Sequence, residues 1–195
     1  MSEPIVFISH VAVEPPEFEL DDLEPAVFAE RVAPLFEGAP AFLARLAAAR
    51  PFGSWPALFE AARGVAHGMP DAEQRELVDA HPRLGAPPES VSELSFREQG
   101  YDAEAAANLA SESAREREAV AAELDRLNDA YKASFGFRYC VFVAGRPRSE
   151  LLPEMALALG RERDSELRRA LDAVIDIAAD RHHSLVAAAR GGERG

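Results

Sequence analysis

The apolar residues between positions 120 and 131 recur at a spacing that a helix places on one side. Val120, Leu124, Leu127 and Tyr131 are separated by four, three and four residues. On an α-helix this spacing aligns them as a single stripe. The pattern predicts a helix from about 103 to 133, the longest in the chain, with one side buried in a hydrophobic core.

Further helices are predicted on both sides of this one. The helix from Asp71 must end at His81, because Pro82 disfavours helical geometry in the residue before it. Other starts are marked by a proline in a first turn or by a polar N-cap residue. The expected starts before position 80 are at Pro25, Pro40, Ser54 as an N-cap and Asp71 as an N-cap. The expected later helices cover roughly 148–160 and 164–187.

A β-like composition occurs in the apolar run at 139–143, which has no obvious partner strand. A loop at 84–92 precedes a short helix that opens at Ser92 or Glu93. We therefore predict an all-α, single-domain bundle of about six to eight helices. The helical domain is expected to cover 25–190, after an N-terminal arm at 1–24 and before a C-terminal tail at 191–195.

The charge balance excludes several classes of partner. A net charge of −13 disfavours nucleic acid and anionic membranes, which both need a basic surface. No apolar run approaches the roughly 20 residues that cross a bilayer, and the first residues do not form a signal peptide. The single cysteine, Cys140, cannot form an internal disulfide. We expect a soluble, cytoplasmic protein that binds neither nucleic acid nor membrane.

Motif searches give no support for metal, nucleotide or serine-nucleophile chemistry. The histidines form no H-x-x-x-H pair, and adjacent residues such as His182 and His183 diverge by about 100° on a helix. The glycine-rich phosphate-binding motifs are absent, as is the G-x-S-x-G turn. Cys140 lies inside an apolar run, which favours an inert buried thiol. We expect no metal site.

His81 has two interpretations from the residues alone. A histidine at a helix C-terminus interacts favourably with the negative end of the helix dipole. It could instead act in chemistry with Glu98, which would ordinarily be a solvated helix residue. Ser95 and Gln99 are ordinary turn and surface residues unless they bind a ligand. Arg181 falls near the border of the apolar side of its helix, where a cation is unusual.

Taken together, several segments resemble the 2-oxo-4-hydroxy-4-carboxy-5-ureidoimidazoline (OHCU) decarboxylase family of urate degradation. They are LFEGAP, AARPF, HPRLG with His81 and Pro82, Ser95-x-x-Glu98-Gln99, LNDAYKASFGFRYCVFV and IDIAADRHHSLV. The resemblance begins near residue 28. It implies an all-helical homodimer that converts OHCU to (S)-allantoin without a metal or an organic cofactor. The substrate itself can absorb the electron pair that departing CO2 leaves behind.

The same resemblance implies roles for individual residues. His81 matches the catalytic histidine, Glu98 its acidic partner, and Pro82 the residue that shapes the pocket beside them. Arg181 matches the arginine that holds the anionic side of the substrate. The remaining substrate contacts are expected from two segments: Ser95, Phe96, Arg97, Glu98 and Gln99, and the backbone of Tyr139, Cys140, Val141, Phe142 and Val143.

Three departures from the family pattern leave alternatives open. Arg83 stands where many relatives have an acidic residue, Tyr139-Cys140 replaces phenylalanine and an aliphatic residue, and Ala158 replaces an arginine. These changes are compatible with a related enzyme that acts on another small ureido or imidazoline acid. The acidic composition and the proline-rich arm also leave open a non-catalytic helical interaction module.

Overall fold

A computed structural model describes residues 18–87, 91–92, 94–95 and 114–192 of the chain. Over these residues the chain is helical and contains no strand, which confirms the all-α prediction. The α-helices are α1 (Pro25–Val32), α2 (Pro40–Ala48), α3 (Trp55–Gly68), α4 (Asp71–Ala80), α5 (Ala114–Phe135), α6 (Arg148–Ala158) and α7 (Arg163–Gly192). A 3-10 helix, η1 (Ala33–Phe36), follows α1 directly. No helix in these ranges is long and apolar enough to cross a membrane.

The helix starts follow their local signals, with one exception. The Ser54 hydroxyl accepts a hydrogen bond from the Ala57 amide at 3.3 Å, which confirms the predicted cap of α3. Asp71 was expected to cap α4, and this is wrong: Pro70 is the cap and Asp71 is the first helical residue. There its carboxylate accepts from Arg163 Nη2 at 2.6 Å, and an acidic side chain is also favoured by the helix dipole.

The long central helix is described from Ala114 onward as α5, and positions 103–113 of the prediction lie outside the described residues. Leu124, Leu127 and Tyr131 are buried, and Val120 is half-buried. The stripe read from the sequence therefore faces the core as predicted.

The last helix, α7, packs against α3, α4 and η1. Its inward face is almost entirely apolar, with buried Leu167, Leu171, Val174, Ile177 and Ala178. Arg181 continues the same face one turn beyond Ile177 and is also buried. A cation therefore lies at the end of an apolar stripe, inside the bundle.

The apolar run at 139–143 has no regular secondary structure and pairs with no strand in the described part of the chain. Its backbone is held by side chains instead: Arg169 Nη1 donates to the Cys140 carbonyl at 2.9 Å. Just before it, the Arg138 amide donates to Asp79 Oδ1 at 2.7 Å. Polar side chains from α4 and α7 thus take the place of a neighbouring strand.

Residues 18–24, the end of the predicted N-terminal arm, are hydrogen-bonded to the loop after α2. The Asp21 carboxylate accepts from the Phe52 and Gly53 amides at 2.7 to 2.9 Å. Arg50 donates to the Leu23 carbonyl from the same loop. The predicted division into arm, domain and tail stays a prediction, and residues 1–17 lie outside the described residues.

Candidate active site

His81 directly follows the last residue of α4, and its side chain is buried in the interior. The helix stops at Ala80, and His81 adopts φ −71° and ψ 140°, which confirms that the chain leaves the helix before Pro82. The imidazole is 3% exposed, and its Nδ1 atom lies 3.4 Å from the Leu77 carbonyl oxygen. Its Nε2 atom is buried and meets no hydrogen-bond partner within the described ranges. A buried ring nitrogen is thus left available for a ligand.

A small pocket that is partly open to solvent adjoins this ring. It is lined by His81, Pro82, Leu84, Tyr139, Cys140, Val141, Val143 and Ile177. His81 and Pro82 therefore lie around one pocket with residues of the 139–143 segment, and their roles at a substrate stay a prediction. Phe142, the remaining residue of the predicted 139–143 contact, does not line this pocket and accepts from Arg146 Nη2 at 2.9 Å through its carbonyl.

Arg181 is 2% exposed and is held by groups from two other segments. Its Nη2 atom lies 2.8 Å from both Glu37 Oε1 and Ser95 Oγ. Its Nη1 atom donates to the carbonyls of Pro34 and Leu35 at 3.3 and 3.2 Å. The structure therefore brings together Ser95 and Arg181, which the sequence predicted as substrate contacts from distant segments.

Glu37 is the acidic residue of this cluster, and it was not predicted as a site residue. It follows η1 with φ 52° in the left-handed region, and its Oε1 atom accepts from Ser95 Oγ at 2.5 Å and Ser92 Oγ at 2.9 Å. Burial raises its pKa, but the hydrogen bonds and the charge of Arg181 outweigh burial, so the pKa lies below its usual range. The sequence feature that could have identified Glu37 is its position inside LFEGAP, one of the segments that resemble the family.

The electrostatics of the pocket keep His81 neutral. Burial and, to a smaller extent, the charge of Arg181 lower the pKa of its imidazole from 6.5 to about 4, while the charge of Glu37 and the Leu77 carbonyl partly oppose them. The imidazole is therefore uncharged at neutral pH and can accept a proton. Ile177 lines the pocket beside His81, and Arg181 lies one turn beyond Ile177 on α7.

A second buried cluster supports the wall of the pocket. Glu166 is 1% exposed and accepts from Tyr131 Oη at 2.8 Å, Arg161 Nη1 at 2.8 Å and Arg169 Nε at 2.9 Å. Because Arg169 also binds the Cys140 carbonyl, this cluster fixes the backbone of the 139–143 segment against α7. The cluster does not line the pocket, and it supports the pocket only through the backbone of the 139–143 segment.

The residues that depart from the family pattern lie in different parts of the structure. Arg83 pairs with Asp125 and Asp129 on α5, each at 2.9 Å, and does not line the pocket beside His81. Tyr139 is buried, and its hydroxyl meets no hydrogen-bond partner in the described part of the chain. Burial raises the pKa of Tyr139 to about 12. Ala158 is fully buried in α6.

Four predicted residues, Phe96, Arg97, Glu98 and Gln99, lie outside the described residues. The role of Glu98 as the acidic partner of His81 therefore stays a prediction. Within the described ranges, no group of three or more histidine, cysteine, aspartate or glutamate side chains is arranged to hold a metal ion.

Comparisons with known proteins agree on one family. The family model described as OHCU decarboxylase matches residues 21–183. The chain is 29% identical to the uric acid degradation bifunctional protein PucL of Bacillus subtilis, over 83% of this chain and 31% of that protein. It is 28% identical to the 2-oxo-4-hydroxy-4-carboxy-5-ureidoimidazoline decarboxylase of Haloferax volcanii, over 82% of this chain and 89% of that protein. The chain thus spans about a third of the length of the bifunctional relative.

Solved structures show the same fold. A crystal structure of OHCU decarboxylase in the presence of (S)-allantoin matches with a TM-score of 0.59 at 20% identity, over 80% of this chain and 96% of that one. A crystal structure of (S)-allantoin synthase matches with a TM-score of 0.56 at 19% identity, over 85% of this chain and 52% of that one. With the family match over most of its length, the chain belongs to the OHCU decarboxylase family.

Proposed function

We propose that this chain catalyses the decarboxylation of OHCU to (S)-allantoin in urate degradation. One observation carries the proposal beyond family membership: a buried neutral imidazole lines a pocket with Ile177 of α7, and a buried guanidinium, Arg181, lies one turn further along that helix. Part of the pocket wall is formed by the 139–143 segment, which in this proposal contacts the substrate.

In this proposal the reaction needs no metal or organic cofactor, because the substrate accepts the electron pair itself and solvent supplies a proton. The bond between the ring carbon and the carboxylate breaks, and its electron pair forms a double bond to the neighbouring ring carbon. The electrons of the adjacent C=N bond move to the ring nitrogen, which takes a proton from solvent. The resulting enol loses its hydroxyl proton, and the neighbouring carbon gains a proton, which gives allantoin and CO2.

His81 is suited to the second half of this sequence. Its neutral imidazole accepts the hydroxyl proton of the enol, and the imidazolium then delivers a proton to the neighbouring carbon. Delivery from one side of the ring sets the configuration of (S)-allantoin. In the proposal Glu98 holds the imidazole in one tautomer and favours its charged form.

Arg181 and the pocket backbone supply orientation and charge stabilisation. The positive charge of the Arg181 guanidinium attracts the anionic side of the substrate, and Ser95 and Gln99 add single hydrogen bonds. Backbone N–H groups of the 139–143 segment stabilise developing negative charge on oxygen, a contribution of roughly 2.7 to 4 kcal/mol per donor. Exclusion of water from the buried site strengthens each of these interactions.

The proposal extends to the assembly and location of the protein. We infer a homodimer from the family resemblance, and a cytoplasmic location from the acidic composition and the single cysteine. Light scattering coupled to gel filtration measures the mass of the particle. A mass equal to one chain of 21.1 kDa would contradict the dimer.

The decisive experiment supplies freshly generated OHCU and follows the circular dichroism of (S)-allantoin. The wild-type protein should produce it faster than the spontaneous reaction, which gives a racemate. His81→Ala should lose most of the rate while its helical circular dichroism is retained. Activity should persist after treatment with a chelator. An unaccelerated reaction with folded wild-type protein would refute the proposed function, and a fully active His81→Ala would refute the role of His81.

A further inference from the structure

We propose that Glu37 is a positioning residue of the site: its carboxylate fixes the Arg181 guanidinium and Ser95 against each other, and so shapes the surface that binds the anionic side of the substrate. This inference rests on the proposed function. Glu37 lies at the end of η1, far in sequence from both partners. It is not among the residues that line the pocket beside His81.

The geometry points to a shared anchor rather than to a simple ion pair. One oxygen atom, Oε1, lies within 2.5 to 2.9 Å of Arg181 Nη2, Ser95 Oγ and Ser92 Oγ. Ser95 Oγ is also 2.8 Å from Arg181 Nη2. The Glu37 carboxylate, the Arg181 guanidinium and the Ser95 hydroxyl therefore each contact the other two. Moving the carboxylate would therefore disturb both predicted substrate contacts at once.

The carbonyls of η1 complete the support from the same segment. Arg181 Nη1 donates to the carbonyls of Pro34 and Leu35, which precede Glu37 by three and two residues. The carbonyls and the carboxylate thus hold both terminal nitrogens of the guanidinium, which is planar and rigid. Because Arg181 is 2% exposed, water cannot replace these contacts. The contacts from η1 and Glu37 therefore set the orientation of the Arg181 guanidinium.

The test compares Glu37→Gln and Glu37→Asp with the wild-type protein by steady-state kinetics on OHCU. The glutamine keeps the shape and removes the charge, while the aspartate keeps the charge and withdraws it by one methylene. Both variants should raise KM by about tenfold or more and change kcat much less, because the guanidinium is no longer held for the substrate anion.

A purely structural role would give a different result. Loss of folded protein lowers the apparent kcat and leaves the KM of the remaining molecules unchanged. If Glu37 only neutralised Arg181, removing its charge would strengthen anion binding and lower KM. Unchanged or lower KM in both variants would therefore overturn the proposal.

Asp172→Asn is the matched control. Asp172 is also an acidic partner of an arginine, at 2.7 Å from Arg63 Nη1, and it lies on α7 like Arg181. It does not line the pocket. Its removal should leave KM unchanged, and a comparable rise in KM would show that any lost ion pair on this helix has the same effect.

Thermal unfolding provides a readout that is independent of activity. Glu37→Gln and Arg181→Gln should each lower Tm, and the double variant should lose clearly less than the sum, since residues in direct contact are coupled. Additive losses would show that Glu37 does not hold Arg181. Wild-type protein that is inactive on OHCU would instead refute the proposed function, so the two failures are distinguishable.

Discussion

Lowering the pH should destabilise this protein through His81, because its imidazole is buried in the neutral form. Burial and the Arg181 charge lower its pKa from 6.5 to about 4, and the charge of Glu37 opposes them. As the pH falls, the unfolded chain therefore takes up the proton first. Stability linked to this residue is fully present above pH 6.5 and is lost as the pH falls toward 4.

The magnitude follows from the two pKa values. Each pKa unit is worth about 1.4 kcal/mol, so the full effect is on the order of 3 kcal/mol. Between about pH 7.5 and about pH 5 the linkage equation gives a loss of roughly 2 kcal/mol. The free energy of unfolding of a typical domain is about 5–15 kcal/mol, so this loss is a substantial fraction of it.

The assay measures urea unfolding at both pH values for wild-type protein and His81→Gln, which cannot titrate at this position. Other groups, including His182, whose pKa is lowered by burial, contribute to both proteins. The difference between the two pH dependences therefore isolates His81. We expect the variant to lose about 2 kcal/mol less than the wild type over this interval. Equal pH dependences would refute the argument that the imidazole is buried and neutral.

Three further predictions concern the pocket and its supports. Arg181→Lys should lower kcat/KM at least about tenfold, because an ammonium group cannot serve two carbonyls, Glu37 and Ser95 with the geometry of a planar fork; full activity on OHCU would contradict this. Tyr139→Phe should raise the free energy of unfolding by about 1 kcal/mol, since its hydroxyl is buried without a partner among the described residues; a clear loss in urea unfolding would reveal a partner. Gly85→Ala should cost about 1–3 kcal/mol, because φ is +79° and an added Cβ would lie 2.5 Å from Leu124 Cδ2. Gly145→Ala, with φ +71° and open space around it, is the control and should cost less in the same assay.

Much of the fold could be predicted because its signals are local. Ser54 caps α3 through an amide three residues away, and Pro82 stops α4 at the residue before His81. The stripe on α5 depends on a period that is read along one segment. Asp71 shows the limit of such signals, because cap and first-turn positions both accept an acidic residue and differ by a single position.

The sequence by itself determined the all-α class, the family, and the exit of His81 from its helix, since each depends on neighbouring residues or on a recognisable order of segments. Only the tertiary structure decided that Arg181 is buried, because its helix also carries Arg168 and Arg169, and several arginines on one helix are typical of an exposed surface. The contact of Glu37 with Ser95 and Arg181 joins positions far apart in the chain. No local period encodes such a contact, because it exists only once η1 and α7 have packed together and excluded water from between them.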